Sequence, residues 1–257
     1  MFHDLTIATA LFLLAASFFA GFIDSIAGGG GLIQLPALLI GLPNSDTAEV
    51  LGTNKLSSIF GTTTAAALYR KQIKPDPKVL IAMGLPAFLG SAGGAVLASK
   101  IPTSSMRPMV LVLLIAVAIY TWFKPDLGKF ENLRHQPRRR VQIAAFAGAV
   151  IGFYDGILGP GTGSFLILIL VASLGYAFIT ASAIAKVVNV ATNVGAILVF
   201  GLHGAVIWQI GIIMGIANIS GAVVGARLAI KGGSTLVRKV FLLVTIALIV
   251  KVGIATF

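Results

Sequence analysis

The chain has 257 residues, of which 57% are hydrophobic and only 11% are charged, and its formal net charge is +11. Soluble domains carry about 25% charged residues, so this composition excludes a water-soluble surface and indicates a protein embedded in a membrane. The absence of cysteine excludes disulfides and thiolate metal sites, and the three histidines lie too far apart in sequence to suggest a metal centre.

Apolar segments follow one another along the chain, separated by short polar or glycine-rich stretches. The first five cover about 5–26, 32–42, 48–69, 78–99 and 107–123, and the next five cover about 141–157, 163–175, 180–201, 205–228 and 238–256. A spanning helix needs about 17–25 residues, so 32–42 and 163–175 are too short to cross. Each of these two follows a glycine-rich break. This pattern predicts a helical hairpin that enters the membrane and returns, with the glycines at its tip.

The chain repeats itself at an offset of 131 residues without a gap. Residues 21–24 (GFID) fall on residues 152–155 (GFYD), and the same offset places Lys55 on Lys186. Apolar composition produces chance matches of alanine and leucine, but it does not produce coincident aspartates and lysines. We therefore interpret the chain as two homologous halves.

The positions of the basic residues predict how the two halves are oriented. Segments 70–78, 124–140 and 227–239 hold fourteen of the 19 lysines and arginines, and the positive-inside rule places all three in the cytoplasm. Each half then has one re-entrant helical hairpin and three spanning helices. Because three is odd, the second half is inverted relative to the first, an architecture common in secondary transporters. If the short segments cross instead, the halves become parallel.

The predicted fold is thus an all-α polytopic membrane protein with two homologous halves in inverted topology. The first membrane repeat is 1–123, a basic cytoplasmic linker covers 124–140, and the second repeat is 141–257. Both termini are predicted to lie outside the cell.

Four ionisable residues are predicted to lie at membrane depth, where charge is costly and marks a functional site. Asp24 and Asp155 each stand four residues before a glycine tip, and Lys55 and Lys186 each begin a polar helix face. These faces have the i, i+3, i+7 spacing of one helix side. They comprise Lys55, Ser58 and Thr62, with Asn54 beside them, and Lys186, Asn189 and Asn193.

The two glycine tips predict an anion site. A helix that begins after a glycine-rich break presents unpaired N–H groups and the positive end of its dipole, and glycine permits close approach to the backbone. We expect the tips to face each other near the membrane midplane, with the two lysines as counter-charges for a small oxyanion. The candidate binding residues are Gly28, Gly29, Gly30, Gly31, Asn54, Lys55, Ser58, Gly159, Gly161, Thr162, Gly163, Lys186, Asn189 and Asn193.

The two aspartates have a second interpretation, which is structural. Asp24 neutralises Lys55 and Asp155 neutralises Lys186 in this view, as buried pairs that hold each hairpin to the helix that follows it. An aspartate that is not locked to a lysine is instead a candidate proton carrier. No metal and no cofactor are expected, and no nucleotide-binding G-x-x-x-x-G-K-[ST] loop occurs in the chain.

The two glycine motifs together resemble a known family. Residues 21–31 (GFIDSIAGGGG), 52–55 (GTNK), 152–156 (GFYDG) and 159–164 (GPGTGS) closely resemble the TauE/SafE family of membrane permeases. The resemblance implies two copies of one domain in the bacterial inner membrane, and export of sulfite or organosulfur anions such as sulfoacetate. Ala185 stands at the position that corresponds to Asn54, so the two lysine motifs are not equivalent.

The predicted function is secondary transport of a small oxyanion, most readily sulfite or an organosulfonate, out of the cell by alternating access. The expected partners are the anion and membrane lipids, with no nucleic acid, and the sequence leaves open whether the protein forms a homo-oligomer. One alternative is an anion channel. Another is an intramembrane aspartyl protease, because two aspartates lie at membrane depth, but its Gly-x-Gly-Asp motif is absent.

Overall fold

The computed structural model describes residues 6–98 and 130–256, and within these ranges the chain forms helices and no β-strand. The helices are α1 (Ile7–Ala27), α2 (Gly31–Gly41), α3 (Thr47–Gln72), α4 (Pro77–Ala98), α5 (Pro137–Ile157), α6 (Thr162–Ala172), α7 (Phe178–Leu202) and α8 (Trp208–Thr256). The predicted span at 107–123 lies outside the described residues. The all-α, polytopic character of the protein is confirmed for the described part.

Helix length and apolar character together distinguish the candidate membrane spans from the short apolar helices. Among the described residues, four helices are both long and apolar enough to cross a membrane, namely Ile7–Ala27, Pro77–Ala98, Phe178–Leu202 and the Trp208–Leu243 part of α8. Helices α2 and α6 have 11 residues each, about 16 Å at 1.5 Å per residue, or half of a hydrocarbon core about 30 Å thick. Helix α1 is about 31 Å long, which is enough to cross the whole hydrocarbon core. The entering limb of a symmetric re-entrant hairpin needs only about half of that length.

Local chemistry explains where several helices begin. The Thr6 hydroxyl accepts a hydrogen bond from the Thr9 N–H at the start of α1, and Asp46 and Glu49 form a capping box at the start of α3. Helix α5 begins at Pro137, four residues before the predicted start, because proline is favoured at the first helical position. Arg138, Arg139 and Arg140 therefore lie in the first turn of α5, so the end of the predicted linker is helical.

The second half contains one difference from the predicted segments. The sequence predicts separate helices over 205–228 and 238–256 with a basic loop between them, and the range of α8 does contain two helices, but they meet at a kink without a loop. The only break is at Gly233, whose backbone adopts φ 61° and ψ −164°. Because glycine has no Cβ to oppose a positive φ, this non-helical residue ends one helix and lets the next begin directly after it.

Long helices of the two halves pack against each other rather than only within their own half. Helix α1 packs along α8, and α5 packs along α4. A Cβ on Gly221 of α8 would collide with the carbonyl of Phe18, and a Cβ on Gly90 of α4 would collide with the carbonyl of Ala149. The offset of 131 relates these two contacts, so small residues permit the same close backbone approach in both places.

Candidate functional site

The two glycine-rich breaks contact each other directly in the interior of the protein. Gly28 ends α1 with φ 81°, and its carbonyl accepts a hydrogen bond of 3.2 Å from the N–H of Ser164 in the first turn of α6. The Ser164 hydroxyl donates to the carbonyl of Ala27 at 2.9 Å. A Cβ on Gly28 would lie 2.6 Å from the Cα of Gly163, so only glycine fits at this crossing.

Several polar groups in the first turn of α6 donate hydrogen bonds to carbonyls of the protein itself. Besides the Ser164 N–H, the Thr162 N–H and the Thr162 hydroxyl both donate to the carbonyl of Gly159, at 3.2 and 2.8 Å. The N–H of Phe165 donates to Gly161. Gly31 and Gly161 complete the contact, since a Cβ on Gly31 would lie 3.5 Å from Pro160 and one on Gly161 would lie 3.6 Å from Leu32. The tips thus meet as packed backbone.

The four buried ionisable residues form two ion pairs, and each pair joins the two halves. Lys55 Nζ lies 2.6 Å from Asp155 Oδ2, and Lys186 Nζ lies 2.9 Å from Asp24 Oδ2. The expected pairs within each half, Asp24 with Lys55 and Asp155 with Lys186, are therefore wrong. Because the tips cross, the end of α1 is carried towards α7 and the end of α5 is carried towards α3.

Both ammonium groups lie at the carboxyl-terminal end of a hairpin helix. Lys186 Nζ also donates to the backbone carbonyl of Asp24 in the last turn of α1. Lys55 Nζ lies beside Gly159, where a Cβ would approach it to 2.7 Å, just after the end of α5. The negative end of a helix dipole stabilises a cation in this position. Each lysine therefore interacts with an aspartate and with a helix end at the same time.

The two ion pairs differ in how far they are shielded. Both side chains of the Lys55–Asp155 pair are at most 3% exposed, whereas Asp24 in the other pair is 16% exposed and Lys186 is fully buried. Since each carboxylate faces a lysine, the two aspartates do not form the carboxylate dyad of an aspartyl protease. The protein therefore holds one sealed pair and one pair that is partly open on its carboxylate side.

The polar faces of α3 and α7 contain buried amide atoms that have no partner in the described part of the chain. These atoms are Asn54 Oδ1 and Asn193 Nδ2, on residues that are 3% and 2% exposed. Asn189 differs, because its Oδ1 accepts a hydrogen bond of 3.1 Å from Thr192. A buried polar atom without a partner is costly, and in native proteins it is explained by local strain, by a functional role or by a bound water or ion. Ser58 is half-buried, and its carbonyl accepts a bond from Thr62.

A buried polar network, which the sequence did not predict, lies beside the first glycine tip. The Asn218 amide donates to Gln34 Oε1 at 2.9 Å and to the carbonyl of Ser17 at 3.1 Å, and the Gln34 amide donates to the carbonyl of Asn54 at 3.3 Å. The Ser17 hydroxyl lies 3.1 Å from that of Ser57. A signal was present, since Gln34 is the one polar side chain of α2.

The same offset of 131 gives no polar network in the second half. The residues that correspond to Ser17, Gln34, Ser57 and Asn218 are Gly148, Phe165, Val188 and Ala87. The site thus has a polar side next to α2 and an apolar side next to α6. In the described part of the chain, no three His, Asp or Glu side chains are grouped so that they could hold a metal ion.

Comparison with known proteins supplies the family. The family model described as "Sulfite exporter TauE/SafE" matches residues 13–252. The chain is 40% identical over 250 residues to "Probable membrane transporter protein ORF9" of Sinorhizobium sp., covering 97% of this chain and 94% of that protein. It is 38% identical over 251 residues to "Probable membrane transporter protein YfcA" of Escherichia coli strain K12, covering 95% and 90%.

A third relative, "Probable membrane transporter protein" of Haemophilus influenzae, is 35% identical over 249 residues and covers 96% of each chain. No solved structure matches the chain. The resemblance seen in the glycine motifs is confirmed along nearly the whole length.

Proposed function

Because the chain belongs to the sulfite exporter TauE/SafE family and is a membrane transporter rather than an enzyme, we propose that it exports a small oxyanion, most readily sulfite or an organosulfonate. The proposal rests above all on Lys55 and Lys186, two lysines buried beside the crossing of the glycine tips. Ionisable groups at membrane depth are costly and are retained where a substrate or ion needs them.

The ion pairs define how an anion would enter this site. With both lysines paired, the four charges sum to zero, so an oxyanion binds by competing with a carboxylate for an ammonium group. Asp24 is the accessible carboxylate, since its side chain is 16% exposed while that of Asp155 is 2% exposed. The anion therefore displaces Asp24 from Lys186 first. The released carboxylate is then free to accept a proton.

Alternating access between two inverted halves is the proposed mechanism. In this proposal, residues 1–123 and 141–257 are the repeats, 124–140 is a cytoplasmic linker, and both termini lie outside the inner membrane. Contacts related by the offset of 131 support it, because Lys55–Asp155 and Lys186–Asp24 are the same contact made twice. Two equivalent sets of contacts allow one half to loosen while the other closes.

The membrane potential favours export. Moving one charge through an inside-negative potential is worth about 2.3 kcal/mol per 100 mV. At 100 mV, export of a dianion is therefore favoured by about 4–5 kcal/mol. No nucleotide is needed for this direction. Transport that saturates and supports counterflow is expected of a carrier, whereas a current that rises linearly with voltage would identify a channel.

Asn193→Ala is expected to slow sulfite transport at least about tenfold while leaving the protein folded. Asn193 Nδ2 has no partner in the described part of the chain, so its removal costs no internal hydrogen bond, whereas a hydrogen bond to a charged group contributes about 1.5–3 kcal/mol. The measurement is sulfite efflux from proteoliposomes under an inside-negative potential, with thermal stability recorded in parallel.

The matched control is Ser220→Ala, since Ser220 is exposed and donates only within its own helix. Sulfite efflux by Asn193→Ala at the wild-type rate would remove Asn193 from the site. Saturable efflux of another oxyanion, with none of sulfite, would keep the transporter and change its substrate.

Single cysteines are expected to report the inverted topology directly, because the chain has no native cysteine. Asn44→Cys lies between α2 and α3 and is expected to react with a membrane-impermeant thiol reagent from outside the cell. Ser173→Cys lies after α6 and is expected to react only once the cytoplasmic side is opened. Lys71→Cys, on the basic segment 70–78, marks the cytoplasmic side as control. If Asn44→Cys and Ser173→Cys react from the same side, the two halves are parallel.

A further inference from the structure

A cavity lies away from the glycine tips, on the side of the protein between α3, α4 and α7. Its volume is about 790 Å³, and its walls are apolar except at one end. Leu80, Leu85 and Phe88 of α4 form one wall, and Ala191 and Val194 of α7 form the other. Arg70 lies at the polar end together with Lys74.

The cavity exists because one large side chain is absent from the second half. In the first half, Phe60 packs over Gly215, where a Cβ would collide with the Phe60 ring. The offset of 131 replaces this pair by Ala191 and Gly84. A Cβ on Gly84 would meet nothing within 4 Å. The same helix contact is therefore filled by a phenyl ring in one place and left as a groove in the other.

The length of the groove corresponds to one leaflet of a bilayer. Its wall on α4 runs from Pro77 to Phe88 and its wall on α7 runs from Ala183 to Val194. Each stretch rises about 16 Å at 1.5 Å per residue, which is half of a hydrocarbon core about 30 Å thick. The groove is therefore long enough for most of one acyl chain. Ile81 and Leu85, which are 68% and 60% exposed, lie along it and face outward.

The charges at the polar end select the headgroup. Arg70 and Lys74 are exposed and line the groove, and Lys71 and Lys78 lie on the same segment, which holds a single carboxylate, that of Asp76. Basic pockets between helices at the cytoplasmic face of a membrane bind anionic headgroups, with about 1 kcal/mol for each lysine or arginine near the surface. Because the basic side chains outnumber the single carboxylate, this end of the groove favours a phospholipid headgroup with a net negative charge over a zwitterionic one.

We propose that this groove is a binding site for one anionic phospholipid, whose phosphate lies at Arg70 and Lys74 and whose acyl chain lies over Gly84 and Ala191. The site is separate from the proposed transport site and does not depend on which anion is carried. A bound acyl chain fills the volume that Phe60 fills in the other half. The lipid thereby fills the space between α3, α4 and α7 that the side chains do not fill.

Ala191→Phe is expected to remove the bound lipid, because it places the same ring over Gly84 that Phe60 places over Gly215. The measurement is native mass spectrometry of the full chain in detergent, titrated with dioleoyl phosphatidylglycerol and, separately, with dioleoyl phosphatidylcholine. The wild type is expected to retain one phosphatidylglycerol at least tenfold more tightly than phosphatidylcholine. Ala191→Phe is expected to lose this preferred binding. Val224→Phe, which places the same ring at an exposed position on α8, is the control.

The double variant Arg70→Gln/Lys74→Gln tests the headgroup without touching the apolar walls. It is expected to weaken phosphatidylglycerol binding at least about tenfold and to leave phosphatidylcholine binding unchanged. Because it changes only exposed side chains, it remains decisive if Ala191→Phe does not fold. Unchanged phosphatidylglycerol binding by either folded variant would overturn the proposal. A wild type without lipid preference, or displacement of the lipid by inorganic phosphate alone, would overturn it as well.

Discussion

Lys55→Ala is expected to lower the free energy of unfolding by about 3–5 kcal/mol, and adding Asp155→Ala is expected to restore most of the loss. Removing one partner of a buried ion pair leaves the other charge without compensation, whereas removing both leaves only a cavity and lost packing. Lys55 and Asp155 side chains are 3% and 2% exposed, so water does not compensate either charge. The measurement is a denaturant titration of the purified protein in detergent micelles.

A double-mutant cycle also identifies the partner. Lys55→Ala combined with Asp24→Ala is expected to be less stable than either single variant, because Asp24 belongs to the other pair and Lys186 then loses its carboxylate as well. Lys71→Ala, at an exposed position on α3, is the control and should change stability little. Rescue of Lys55→Ala by Asp24→Ala rather than by Asp155→Ala would show that the pairs form within each half.

The same variants separate stability from transport. The double variant Lys55→Ala/Asp155→Ala is expected to fold but to export sulfite at least about tenfold more slowly, since one of the two proposed cations is gone. Wild-type efflux by this folded double variant would show that the Lys55 pair is purely structural. The transport proposal would then rest on Lys186 alone.

Gly28→Ala is expected to destabilise the protein by about 2–5 kcal/mol and to abolish transport. Two costs combine at this residue: a non-glycine residue in the left-handed region costs about 1–2 kcal/mol, and overpacking costs about 1–3 kcal/mol. Gly28 has φ 81°, and its added Cβ would lie 2.6 Å from the Cα of Gly163, which is backbone and cannot rotate away. Thermal unfolding in detergent and sulfite efflux from proteoliposomes measure the two effects.

Gly163→Ala provides a graded comparison at the same crossing. Gly163 is helical, so its substitution incurs the collision with Gly28 but not the strain of a positive φ, and a smaller loss is expected. Gly93→Ala is the matched control, because its Cβ would meet only the Phe153 ring at 3.9 Å. A Gly28→Ala protein as stable as Gly93→Ala would mean that the two tips do not pack against each other.

Composition and spacing were sufficient to predict several features of this protein. The run of apolar segments predicts a polytopic helical membrane protein, because a spanning helix must be long and nearly free of charge. The glycine-rich breaks predict where the short helices α2 and α6 begin. The offset of 131 relates equivalent contacts in the two halves, including the ion pairs and the glycine crossings of α1 with α8 and α4 with α5. The glycine motifs also carry the family resemblance.

The partners of the buried charges could not be predicted from the sequence, because they are a property of the tertiary structure. Asp24 is closer in sequence to Lys55 than to Lys186, yet it pairs with Lys186, since the crossing of the glycine tips carries the end of α1 to the other half. The same holds for the polar network of Ser17, Gln34 and Asn218, whose members are scattered over three helices. Local periodicity records which face of a helix is polar, but only packing decides which faces meet.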